Sequence, residues 1–200
     1  PLEGRQVDLQ FSYSQPYSNV VKEKIEPRQS SQSILQLGYH FACQYGDKDY
    51  FALIVFNAMF GEFAHSVLFT EIREKEGLAY SISSQLNVFT GLLEVYAGIK
   101  KDNRNQAIRE ISRELNNIKL GRFSSSLLNQ TKKIIRMNIL LSEDHALTLV
   151  EKCFNKVIFE DKNLSLEQWL DNMEKVTKKD VCRVARQVKL QSLFFLEGVS

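Results

Sequence analysis

Phe69-Thr-Glu-Ile-Arg-Glu-Lys-Glu-Gly-Leu-Ala-Tyr-Ser-Ile-Ser-Ser84 joins a helical pattern to a strand pattern across a single glycine. Its first half has the pattern of an amphipathic helix, Gly77 supplies the left-handed turn that ends it, and the start of a strand follows. The corner sets Arg73 and Tyr80 seven positions apart. A guanidinium is a rigid fork of donors that stays charged at working pH. A phenol donates to a carbonyl oxygen through a bond that strengthens as the oxygen becomes anionic. Aimed at one point, the two groups would hold a peptide carbonyl. The structural alternative is that Arg73 pairs with Glu74 or Glu76 and Tyr80 packs at the strand start.

Working outward, Ile34, Leu35, Leu37, Tyr39 and Phe41 predict a strand with one apolar face. Asp47 is placed to cap a buried helix that runs through Phe60 and stops at Gly61. A second helix is predicted over Phe63–Lys75, with Val67, Leu68 and Ile72 inward. Downstream, Ala79–Phe89 and Gly91–Lys100 read as a hairpin turning at Thr90-Gly91. Helices are then expected from Asp102 or Asn103 to Lys119, from Ser124 to Leu141, over Glu143–Phe159, and from Ser165. Thr177 and Asp180 have the spacing of a cap before another helix. A short strand, Ser192–Leu196, is expected to close the sheet. Residues 1–31, broken by Pro16 and Pro27, read as a linker or edge segment with possible strands at Val7–Tyr13 and Asn19–Ile25; residues 32–200 read as one domain. The implied class is α+β: a largely antiparallel sheet covered on one face by helices.

The chain resembles the C-terminal, non-zinc domains of the pitrilysin/insulinase (inverzincin) family. The carriers are the Phe-x-x-(Ile/Leu)-Arg-x-x-x-Gly-Leu-x-Tyr pattern at Phe69–Tyr80, the Leu68-Phe69 pair, Leu115–Gly121, Val176-Thr-Lys-Lys-Asp-Val181 and Phe195-Leu-Glu-Gly198, all in family order over about residues 32 to 198. The spelling is nearest to the zinc-less member of paired Gram-positive bacterial proteins. One departure is Gly61-Glu62 with Ser66-Val67-Leu68-Phe69, where the family often has Gly-Gly and Ser-Arg-Leu-Phe. The resemblance implies the LuxS/mitochondrial-processing-peptidase-like metallohydrolase fold. It also implies that Arg73 and Tyr80 are substrate-binding residues facing a peptide held at a zinc ion in a partner domain.

A zinc peptidase site needs three protein ligands, an open position and a base. The family supplies these from His-x-x-Glu-His and a downstream Glu, and that motif is absent here. His40, His65 and His145 are widely separated; Glu62 and His65, at i and i+3, are two weak ligands that read better as a solvated pair. The expectation is therefore no catalytic residue, no metal ligand and no cofactor in this chain, with zinc only in a partner. Cys182, beside Arg183, reads as an inert thiol in preference to a reactive one.

Two functional readings follow. In one, the chain is a non-catalytic domain that binds peptide and closes a chamber with a zinc-bearing homologous domain or subunit. In the other it is an assembly module that keeps the fold alone.

Composition narrows the alternatives. The 200 residues are 44% hydrophobic, enough for a real core, and the net charge of +2 comes from 26 basic and 24 acidic residues. Near balance gives no nucleic-acid footprint, and Lys132, Lys133 and Arg136 read as a solvated basic face. No apolar run is long enough for a bilayer. Three cysteines, odd in number and far apart, argue against a disulfide framework and for a reduced, cytoplasmic setting. The opening Pro1-Leu-Glu-Gly4 lacks a Met and reads as a fragment, compatible with a targeting segment removed upstream.

Overall fold

Alternation of apolar and polar residues builds the sheet, and its register decides which side chains meet the helices. The structure is a computed structural model that describes residues 20–142, 146, 148–150, 153, 154 and 164–199. Five strands, β1 (Lys22–Gln29), β2 (Ser33–His40), β3 (Ala79–Asn87), β4 (Leu92–Ile99) and β5 (Lys189–Val199), form one sheet in the order β1-β5-β2-β4-β3. The β2–β4, β2–β5 and β3–β4 pairs are antiparallel and β1–β5 is parallel. The sheet is thus largely antiparallel, as expected, with one parallel edge.

Along β2 and β4, Leu35, Leu37 and Tyr39 and Leu93, Val95 and Ala97 point into the core together with Ile82, Leu193 and Phe195. The alternate residues Gln36, Glu94 and Tyr96 occupy the opposite face, where Gln36 Nε2 donates to Glu94 Oε1 at 2.9 Å.

Helices α1 (Tyr50–Asn57), α2 (Arg104–Lys119), α3 (Ser125–Ser142), α4 (Leu166–Glu174) and α5 (Lys178–Gln187) cover the inner face. The α2 stripe Ala107, Ile111, Leu115 and Ile118 and the α5 stripe Val181, Val184 and Ala185 are buried in the same core as the inward strand residues, as the 3.6-residue period requires. Ser165 with Gln168 and Thr177 with Asp180 each complete a reciprocal cap, so Asp serves where Glu or Gln is usual. Gly77, with φ of +61°, and Gly121, with φ of +72°, end their helical segments in the left-handed region.

Several expectations are corrected. Helix α1 starts at Tyr50, not Asp47, because Asp47 Oδ2 accepts the Gln44 N–H at 2.7 Å and closes the preceding turn. The chain then widens into a π-type turn, Ala58–Glu62, and Gly61 is no left-handed stop. Its missing side chain permits close approach: a Cβ there would meet Ser84 Oγ at 2.6 Å and Ser84 N at 2.8 Å.

The second helix is also π-type and shorter than expected, Leu68–Lys75; at its end the Glu76 N–H donates to the Glu71 carbonyl five residues back. Leu68 and Ile72 face inward, while Val67 is half-buried. The last strand is longer than the expected Ser192–Leu196 and lies inside the sheet. β5 has 11 residues and lies between β1 and β2. Its long polar ends hid that length from an apolar-run reading.

The Asn19–Ile25 strand shifts to Lys22–Gln29. The Val7–Tyr13 strand lies outside the described residues, as does most of the Glu143–Phe159 helix. Of the latter's expected apolar stripe, Val150 and Phe154 are exposed.

Candidate functional site

Arg73 lies on the outer side of the Leu68–Lys75 π-type helix, which buries Leu68 and Ile72 beneath it. Its guanidinium sits over the half-buried Phe69 ring, 4.5 Å from the centroid. Glu74 and Glu76 do not hold it; among the described residues Arg73 makes no ion pair, and the nearby Lys75 takes Glu71 at 2.7 Å. Gly77 then turns the chain into β3.

Tyr80 falls where the β3–β4 register shifts between Ala79 and Ser81, a bulge of the kind that re-aims a side chain. It is 56% exposed, and among the described residues its hydroxyl has no hydrogen-bond partner. The corner thus presents both polar groups to solvent, Arg73 resting on Phe69 and neither hydrogen-bonded among the described residues.

A second constellation lies further along β3. Ser84, buried on the inner side of the strand, donates from Oγ to Asn57 Oδ1 at 2.7 Å. The Asn57 amide in turn donates to Glu62 Oε2 at 2.9 Å. The three line a cleft of about 360 Å³ with Ile54, Leu86 and Val88. Loss of water raises the Glu62 carboxyl above the usual carboxylate range, and the Asn57 bond pulls the other way. Sequence reading missed this network. Its one signal was Asn57, the polar residue inside the apolar run Phe51–Phe60.

Glu62 and His65 do not act as a pair. His65 Nε2 lies 2.9 Å from Thr131 Oγ1, and desolvation lowers the imidazole's pKa. Each turns to its own partner, so they do not fit a zinc ion, and among the described residues no three His, Cys, Asp or Glu side chains group to hold a metal. His40 ends β2, and His145 is outside the described residues.

Cys43 and Cys182 are buried and Cys153 is exposed. Burial, with Asp47 and Asp49 nearby, pushes the Cys43 thiol up to about 12. The expected basic face is broken: Lys132 is buried and donates to the Glu174 carbonyl at the end of α4. The Phe51, Phe56 and Phe60 rings are core, whereas Phe63 and Phe69 are only half-buried. Among the described residues no helix is long and apolar enough to cross a membrane.

Comparison with known proteins gives concordant results. Residues 4–135 match the model of the peptidase M16 inactive domain. Over 177 residues the chain is 38% identical to a probable inactive metalloprotease, YmfF, of Bacillus subtilis, covering 88% of this chain and 41% of that protein. It is 25% identical over 163 residues to an uncharacterized zinc protease, YmxG, of the same organism, covering 80% and 40% respectively. The crystal structure of a conserved protein from Enterococcus faecalis superposes with a TM-score of 0.91 at 42% identity, covering 94% of this chain and 44% of that one. The chain therefore spans less than half the length of each of these relatives.

Proposed function

The chain belongs to the peptidase M16 inactive-domain family, and from that premise we propose that it is the non-catalytic half of a peptidase-type system. In this reading it holds an extended peptide at Arg73 and Tyr80 and helps close a chamber. Zinc and the hydrolytic step reside in a homologous partner domain or subunit.

The observation that carries the reading is the state of the corner. Among the described residues the Arg73 guanidinium has no ion pair or hydrogen bond and rests only on the Phe69 ring, and the Tyr80 phenol has no hydrogen-bond partner, so neither must break an internal hydrogen bond to meet a carbonyl. Arg73 would bind the ground-state oxygen and Tyr80 would strengthen its bond as charge develops. Phe69 would steer the guanidinium by holding its plane. Kinship to proteins named as inactive metalloprotease and zinc protease supports the assignment to a peptidase system.

The test is a zinc and peptidase assay on this chain, alone and mixed with a zinc-motif homologue. Expected are no stoichiometric zinc and no cleavage alone, then a gain in cleavage on mixing that Arg73→Ala or Tyr80→Phe removes. No gain on mixing sinks the complementing role, and stoichiometric zinc with activity alone overturns the whole reading.

A further inference from the structure

The two edges of the sheet are built differently. β1, Lys-Glu-Lys-Ile-Glu-Pro-Arg-Gln, carries alternating charges and Pro27, devices that blunt an edge against pairing. β3, Ala-Tyr-Ser-Ile-Ser-Ser-Gln-Leu-Asn, has neither a charge nor a proline. It is the last strand on its side, and among the described residues no further strand pairs with it. Its outer row of backbone donors and acceptors is the kind of edge to which an extended peptide adds as another strand.

The cleft of about 360 Å³ lies beside that edge, between β3 and the end of α1. That size is at the low end of the roughly 300–1,000 Å³ range of small-ligand sites. Buried Asn57 and Ser84 form its polar base, Ile54, Leu86 and Val88 its apolar wall, and exposed Glu62 its rim. Asn57 fixes one Glu62 oxygen, Oε2, which leaves the other available. Among the described residues no Lys, Arg or His pairs with Glu62. A carboxylate is thus pre-oriented at an apolar slot with its charge unmatched.

We propose that the β3 edge and the Glu62 cleft together dock an extended peptide, with a lysine or arginine side chain of that peptide entering the cleft. The aliphatic stem of such a side chain lies along Ile54, Leu86 and Val88, and its cationic head reaches Glu62. The desolvation already borne by the Glu62 carboxyl is relieved by that cation, whereas an anionic side chain would be repelled. Tyr80 and Ser84 are four residues apart on one strand, about 13 Å. A single extended peptide therefore reaches from the Arg73–Tyr80 corner to the cleft. The inference rests on the peptide-holding reading above and adds a side-chain preference to it.

The experiment titrates the protein with a blocked Thr/Val octapeptide bearing Lys at its centre, and with the same peptide bearing norleucine there. Affinity is read by fluorescence anisotropy and location by amide NMR shifts. The Lys peptide is expected to bind about fivefold tighter, near the upper end for a partly exposed ion pair. The preference is lost in Glu62→Gln and Glu62→Ala, shifts follow β3 and residues 54–62, and N-methylating the edge-facing peptide amides weakens binding.

A Lys preference that survives in both Glu62 variants overturns the proposal, as do shifts confined to β1 or the absence of saturable binding. Failures of the two readings separate cleanly. If Arg73→Ala and Tyr80→Phe weaken both peptides equally while the Glu62 variants leave selectivity intact, only the cleft assignment falls. If the Glu62 variants abolish selectivity while the corner variants change nothing, the cleft stands and the Arg73–Tyr80 reading falls.

Discussion

Ser84 Oγ donates to Asn57 Oδ1 at 2.7 Å, and that bond fastens the middle of β3 to the last turn of α1. Both residues are buried, so removing either partner strands a polar group without water. Asn57→Ala is expected to cost about 2–3 kcal/mol and Ser84→Ala about 1–2 kcal/mol. Denaturant midpoints at constant slope check this. The double variant should cost less than the sum, because the second deletion removes the group the first had orphaned.

Two glycines make opposite demands. Gly61→Ala drives a methyl into Ser84 at distances no real Cβ tolerates and should cost about 1–3 kcal/mol through displacement of β3. Gly77→Ala meets open space and carries only the left-handed backbone penalty, about 1–2 kcal/mol. Amide shifts separate them: the Gly61 variant perturbs residues around Ser84, and the Gly77 variant stays local to the turn.

Arg73→Ala and Tyr80→Phe touch solvent-facing groups and should leave stability nearly unchanged. The loss is about 0.5–1 kcal/mol for Arg73, from its contact with Phe69, and under about 0.5 kcal/mol for Tyr80. In the mixed peptidase assay each is expected to lower kcat/KM by about tenfold or more, the value of one charged or transition-state hydrogen bond. A large drop in Tm with either variant would show that the side chain works inside the fold.

Arg183 grips Asp49 at 2.7 Å and Asp180 at 2.6 Å, tying the start of α1 to α5. The Arg183 hydrogen bond is the chief reason the Asp49 carboxyl sits below its ordinary value of 3.8; burial opposes it and Gln187 adds to it. A carboxyl depressed in the folded state contributes stability above its unfolded pKa, and that contribution is lost as pH falls through the folded value. Asp49→Asn should therefore lower stability by about 1 kcal/mol above roughly pH 5, a modest figure because Arg183 reaches solvent. The gap to the native protein should close as pH drops below 3.8. A gap that persists in acid would show that packing, not charge, accounts for it.

Thiol labelling gives a simple check on the core. At pH 8 in native buffer iodoacetamide should modify Cys153 first, since it is exposed, and spare buried Cys43, whose thiol is pushed up to about 12. Cys182, buried in α5, should react only on unfolding. Mass spectrometry after brief labelling reads the order directly.

The helical stripes of α2 and α5, the Ser165 and Thr177 starts and the β3–β4 hairpin were legible because each rests on local periodicity or capping chemistry. Two kinds of feature were not. The π-type turns at Ala58–Glu62 and Leu68–Lys75 have no local signature, and they displaced the expected helix ends. β5 looked short and terminal, because only Leu193 and Phe195 within it are driven deep into the core.

The helix–glycine–strand corner that carries Arg73 and Tyr80 is written in local sequence, since a single glycine with a left-handed backbone suffices to make it. Which partners those residues and their neighbours meet depends on long-range packing. Whether Arg73 pairs with Glu74 or stands over Phe69, and whether Asn57 faces Ser84 and Glu62, depends on which surfaces the sheet and helices bring within hydrogen-bond reach. Residues 27 positions apart in the chain carry no mutual signal until the fold closes the distance between them.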